Sequence, residues 1–172
     1  EYGQISELYA WIALMLAILT FGMETTFFRF SQKEDSRKVF NNAETLVLLI
    51  STVFLLFYCF FYKSFAELIH YEFNTHYVLL LGIIVAVDAA AAIPFAMLRK
   101  ENKAGRFSLI KTINVLTNIF FNILFLVIIP EKSMMIAEYI FGQQTSLLIW
   151  VFVSNILASV LNLILLAPQL ST

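Results

Sequence analysis

Five apolar runs divide this chain, at residues 8–28, 43–62, 77–98, 109–129 and 147–166, and the polar residues gather in the short segments between them. Each run holds about 20 residues, and at about 1.5 Å per residue a helix of that length covers the roughly 30 Å hydrocarbon core of a bilayer. Lipid offers no partner to backbone N–H and C=O groups, so each run must satisfy its own hydrogen bonds as a helix. The pattern predicts an all-α integral membrane protein with five transmembrane helices, a single transmembrane domain over residues 1–172. The segments 63–76 and 131–146 mix apolar and polar residues and read as connectors able to form short interfacial helices. Segments 31–42 and 99–106 read as polar turns, with Ser31 and Gly105 as helix punctuation.

Composition agrees: with 60% hydrophobic and 13% charged residues, a water-soluble domain would have too little polar surface to cover its core. The net charge of −1 gives no reason to expect a nucleic-acid partner. Cys59 is the lone cysteine and lies within the second run, so no disulfide framework exists.

The distribution of cations gives an orientation, because Lys and Arg in short loops are retained on the cytoplasmic side. Arg29, Lys33, Arg37 and Lys38 lie between the first two runs, and Arg99, Lys100, Lys103, Arg106 and Lys111 around the junction of the third and fourth. Only Lys63 and Lys132 fall elsewhere, so nine of eleven cations share one side. The N-terminus is expected outside and the C-terminus in the cytoplasm. The seven Tyr and two Trp residues then fall in or near the outer interface, where amphipathic rings anchor helices. An exterior start at Glu1, without initiator Met or signal peptide, leads to the expectation of a preceding span and of a chain that is a fragment.

Polar groups inside the runs carry the functional information. Asp88 lies eleven residues after Tyr77, about 16 Å deep and near the midplane. A carboxylate there costs at least about 2.5–3.5 kcal/mol, which points it at a wet cavity or at a polar partner on a neighbouring helix. Pro94 removes a backbone hydrogen bond and predicts a bend, and Ala89 to Ala92 offer a thin surface for close packing. Asn114, Asn118 and Asn122 fall at i, i+4, i+8, with Lys111 and Thr117 on or near the same face; Asn155, Ser159 and Asn162 repeat the stripe on the last run. Such amides cannot all face lipid unsatisfied, and two readings stay open for them, interhelical hydrogen bonding and cavity lining. Glu24 sits deep in the first run without a long stem. Arg29 lies five residues on, too far round a helix for an ideal pair, and reads as a snorkelling anchor.

No enzyme constellation emerges. His70 and His76 lie in a connector without an HExxH pattern or a nearby Cys, and no GxSxG or Walker loop occurs, so neither metal nor cofactor is expected.

EYGQIS at the start, LTFGMETTFFRFS, and a carboxylate followed by IPFAMLRKENKAGRFSLIKTINV with its spaced asparagines together resemble bacterial polysaccharide and O-antigen flippases. These belong to the multidrug/oligosaccharidyl-lipid/polysaccharide exporter superfamily. The resemblance covers Tyr2 to about Leu166. It implies two six-helix bundles facing a central cavity, of which these five spans would be helices two to six of the first; the second bundle would be missing. It further implies residence in the bacterial inner membrane, alternating access, and an undecaprenyl-pyrophosphate-linked oligosaccharide as cargo, with H⁺ or Na⁺ coupling as an option. On this likeness Asp88, Asn118, Asn155, Asn114 and Asn122 would line the cavity and Glu24 would contribute from below; Arg29, Arg99 and Lys111 are the cations available for a pyrophosphate, and of these Arg29 would meet phosphates at the entrance. A cation-coupled drug exporter of the same superfamily is the first alternative, and a membrane polysaccharide polymerase the second.

Overall fold

The computed structural model describes residues 2–71, 75–142 and 146–171. Residues 72–74 of the first connector and 143–145 of the second lie outside the described residues. The chain is an all-α membrane protein, with helices α1 (Tyr2–Thr20), α2 (Met23–Phe30), α3 (Ser36–Leu68), α4 (Thr75–Lys100), α5 (Ala104–Ile123), α6 (Pro130–Phe141) and α7 (Ile149–Ser171). A π turn over Leu124–Ile128 extends α5. Among the described residues, five stretches are long and apolar enough to cross a membrane: Ile5–Phe30, Ser36–Leu68, Thr75–Lys100, Ala104–Ile128 and Ile149–Gln169. Each overlaps one predicted run.

The differences lie at the ends, where capping chemistry decides. The Asp35 side chain accepts from the Arg37 N–H at 2.9 Å, so α3 begins inside the segment expected to be a polar turn. At 33 residues α3 runs about 50 Å, well beyond a hydrocarbon core. It stops in a Schellman motif: His70 takes a left-handed φ of 61°, and the Tyr71 N–H reaches Ala66 O at 2.8 Å. The same device ends α4. There Asn102, at φ 55°, is the left-handed residue and the Lys103 N–H reaches Leu98 O at 3.0 Å. Gly105, the expected punctuation, sits inside the first turn of α5 instead. Ser31 does cap α2, through its N–H to Phe27 O.

The first span is two helices rather than one. Phe21 and Gly22 both take left-handed φ values, 47° and 65°, which breaks the ladder between α1 and α2. Gly22 adopts this backbone without steric cost, whereas Phe21, an exposed side chain, adopts it at a strain of roughly 1–3 kcal/mol. The hydroxyl of Thr25 closes the break from below by donating to Gly22 O at 2.6 Å.

Helix α4 is the centre of the molecule, packed against α1, α3 and α7. Val78, Leu81, Ile84, Val85, Ala89, Ile93, Ala96 and Leu98 are fully buried along it. Pro94 sits inside α4 without ending it. The α3–α4 seam is the tightest: the Tyr58 hydroxyl donates to Val78 O at 2.9 Å, and the Tyr58 ring lies directly over Gly82. A methyl at Gly82 would collide with that ring. Gly82→Ala is therefore expected to destabilise the folded protein by about 1–3 kcal/mol, read as a lowered midpoint of thermal unfolding in detergent.

Several of the Tyr and Trp residues expected at the outer interface turn inward. Tyr58, Tyr71, Tyr77 and Trp150 are buried, while Tyr139 is exposed. The Trp150 indole donates to Ser133 O at 3.0 Å and ties α6 to α7, and the Tyr71 hydroxyl bonds a Glu7 carboxylate oxygen at 3.0 Å. The buried rings pack the core.

Candidate functional site

A cavity of about 720 Å³ opens between α1, α2, α4, α5 and α7. The spans that form it are long and apolar enough to cross a membrane, yet its walls carry Glu24, Asp88, Arg99, Lys111, Asn114, Asn118, Asn155, Ser159 and Asn162. Small side chains make the room: Ala13 and Ala17, one turn apart on α1, and Ala91 and Ala92 on α4. Burying so many polar groups in an apolar bundle is costly unless they are paired or wet.

Near mid-length of the helices the polar groups form a chain across three of them. The Ser159 hydroxyl on α7 donates to Asp88 Oδ1 on α4 at 2.6 Å. It also lies 3.4 Å from Asn155 Oδ1, but a hydroxyl has one proton and the shorter contact takes it. Asn155 Nδ2 donates to the Tyr9 hydroxyl on α1 at 3.0 Å. Asn162, one turn past Ser159, is buried, and its side-chain oxygen has no protein partner although the residue lines the cavity. An unanswered acceptor on a cavity wall is a place for water or for a ligand's donor.

Toward the cation-rich end the site is charged. Arg99 on α4 bridges to Glu24 on α2 at 2.5 Å, both side chains partly exposed. Its guanidinium lies 5.6 Å from the Phe28 ring and 5.8 Å from the Phe107 ring. The Lys111 ammonium sits 4.2 Å from the centre of the Phe95 ring, a cation–π contact that holds the charge at the wall. Two cations and two carboxylates thus face one space.

Five of the seven residues expected in the site converge on it: Glu24, Asp88, Asn114, Asn118 and Asn155. Asn122 and Arg29 are not in its lining. Asn122 donates to Asn118 Oδ1 at 2.7 Å, an i, i+4 amide pair along α5. Each step of four residues turns about 40° round a helix, so Asn122 has drifted about 80° from Asn114. Arg29 is exposed in the last turn of α2, about 140° round from Glu24. Arg99 stands where Arg29 was expected. Its spacing carried the signal, since eleven residues are almost exactly three turns and place Arg99 on the Asp88 face of α4.

The fold and this site define a class, an all-α membrane protein with a polar cavity framed by its spans. No protein-family model, no curated protein and no solved structure matches the chain.

Proposed function

We propose that the protein is a non-enzymatic transporter, a flippase that exports lipid-linked oligosaccharide or polysaccharide precursors across the bacterial inner membrane by alternating access. The observation that carries this reading is the cavity itself: carboxylate, amide and hydroxyl groups from α4, α5 and α7 face one space between apolar helices. Amides and hydroxyls suit sugar hydroxyls, whereas a pyrophosphate needs cations. Arg99 and Lys111 supply those at the cation-rich end, which the loop charges assign to the cytoplasm, where such a cargo is loaded. In this reading the open side of the cavity faces a second bundle of the same chain.

A strain lacking the gene tests it. Loss of surface polysaccharide with accumulation of its lipid-linked precursor, restored by the full-length gene, is the expected result. The second reading, a cation-coupled drug exporter, is favoured by Asp88, an acidic group within hydrogen-bond reach of Ser159 inside the cavity. It predicts drug hypersensitivity with surface glycan intact. Chain lengthening of glycan by the reconstituted protein would instead make it a polymerase.

A further inference from the structure

A second cavity, of about 510 Å³, lies at the cation-rich end, away from the first and between the N-terminal turns of α3 and α5, the end of α4 and the end of α7. Its walls bear Arg37, Lys103 and Arg106, with Asp35 and Glu101 as the acidic members. The carboxylates are already engaged. Glu101 holds Lys103 at 2.8 Å, and Asp35 accepts from the first turn of α3. Three cations against two carboxylates leave one positive charge; the N-terminal turns of α3 and α5 add to it, while the end of α7 takes up part of it, Gln169 O accepting from Arg37 Nη1 at 2.9 Å.

The start of α5 is the unusual feature. Its N-cap is Lys103, with no side-chain capping bond, no acidic residue lies in its first turn, and Arg106 follows within that turn. Helix N-termini carry positive partial charge and exposed N–H donors, so cations at this position are repelled where an anion would be held. Arg106 reaches Leu165 O only at 3.4 Å, which leaves most of its fork of donors available to an acceptor such as a phosphate. Beside the cleft an apolar track runs back along α7. From Pro168 at the cavity wall, Ile164, Val160 and Leu157 follow at four, eight and eleven residues, and all are exposed.

The geometry points to a binding site for one anionic phospholipid: its phosphate sits in the cleft on Arg106 at the start of α5, with Lys103 and Arg37 adding charge from beside it, and an acyl chain lies along the Ile164–Val160–Leu157 track. Basic pockets between spans on one face of a membrane recognise such headgroups. The apolar track distinguishes the lipid from free phosphate, because it gives a soluble anion nothing.

The test uses the full-length protein, purified in detergent and equilibrated with phosphatidylcholine containing phosphatidylglycerol, with bound lipid measured by native mass spectrometry. One phosphatidylglycerol per chain should be retained. Lys103→Gln with Arg106→Gln should lower its affinity at least about tenfold. Arg29→Gln with Lys33→Gln, the same charge change at exposed positions away from the cleft, should leave it unchanged. Should the first double variant fail to fold, Arg106→Gln alone, which gives up only the long contact to Leu165, is expected to show the same ordering. Equal loss from both pairs would mean diffuse attraction to a charged surface and would overturn the site. Displacement of the lipid by millimolar inorganic phosphate would overturn the lipid assignment, and so would absence of any retained lipid in the wild type.

Discussion

On the proposed transport function, Asp88→Ala in the full-length protein is expected to lower transport at least about tenfold, equivalent to about 1.4 kcal/mol in the barrier, measured as cargo movement in reconstituted vesicles. Ala removes the acceptor that Ser159 donates to at 2.6 Å, so a hydroxyl inside the bundle loses its partner at a cost of about 1–3 kcal/mol. That variant confounds folding with function. Asp88→Asn separates them, since its amide oxygen can still accept from Ser159 while the ionisable group is gone. If Asp88 acts in transport, Asn leaves the unfolding midpoint near that of the wild type and cuts the rate as deeply as Ala. If Asp88 only ties α4 to α7, Asn restores both. Full activity with Asp88→Asn would therefore remove the carboxylate from the mechanism and leave the hydrogen bond as its whole role.

The spans were legible because lipid permits so little else: 20 apolar residues without a break have one economical conformation there. The cavity was legible for a related reason. Asp88, Asn114, Asn118 and Asn155 interrupt apolar runs at helical spacing, and such residues have to face inward. What escaped was chemistry at the boundaries. Arg99 is one of three cations available to a phosphate by sequence, and its place on the Asp88 face, in preference to Arg29, is seen only when the turn is counted across the end of the span. The break at Phe21 had no signal in residue type, because a bulky non-glycine residue disfavours the left-handed region; Gly22 beside it did mark the place. Asn102 outcompeted Gly105 as the left-handed residue after α4 because it stands at the position where the Schellman bonds close.

Arg99→Gln and Glu24→Gln are expected to differ sharply in transport while resembling each other in stability. The bridge between them is partly exposed on both sides, and exposed pairs contribute only about 0–1 kcal/mol, so either variant should unfold near the wild-type midpoint. Toward the anionic cargo proposed above, the two would act in opposite ways. Arg99 presents a guanidinium to the cavity between Phe28 and Phe107, and if it holds the proposed cargo its loss would remove a charge-assisted contact of about 1.5–3 kcal/mol, a reduction of roughly tenfold to a hundredfold in cargo affinity. Glu24 competes for that guanidinium, so neutralising it frees the donor, and affinity should hold or rise. Arg29→Gln, on the exposed side of α2, should do little. Binding of a soluble pyrophosphate-linked sugar to the purified protein measures all three. A bridge that merely fastens α2 to α4 predicts equal losses from both partners, since removing either end of a strut has the same effect. Equal losses would therefore take Arg99 out of cargo binding and leave it as a fastening between two helices.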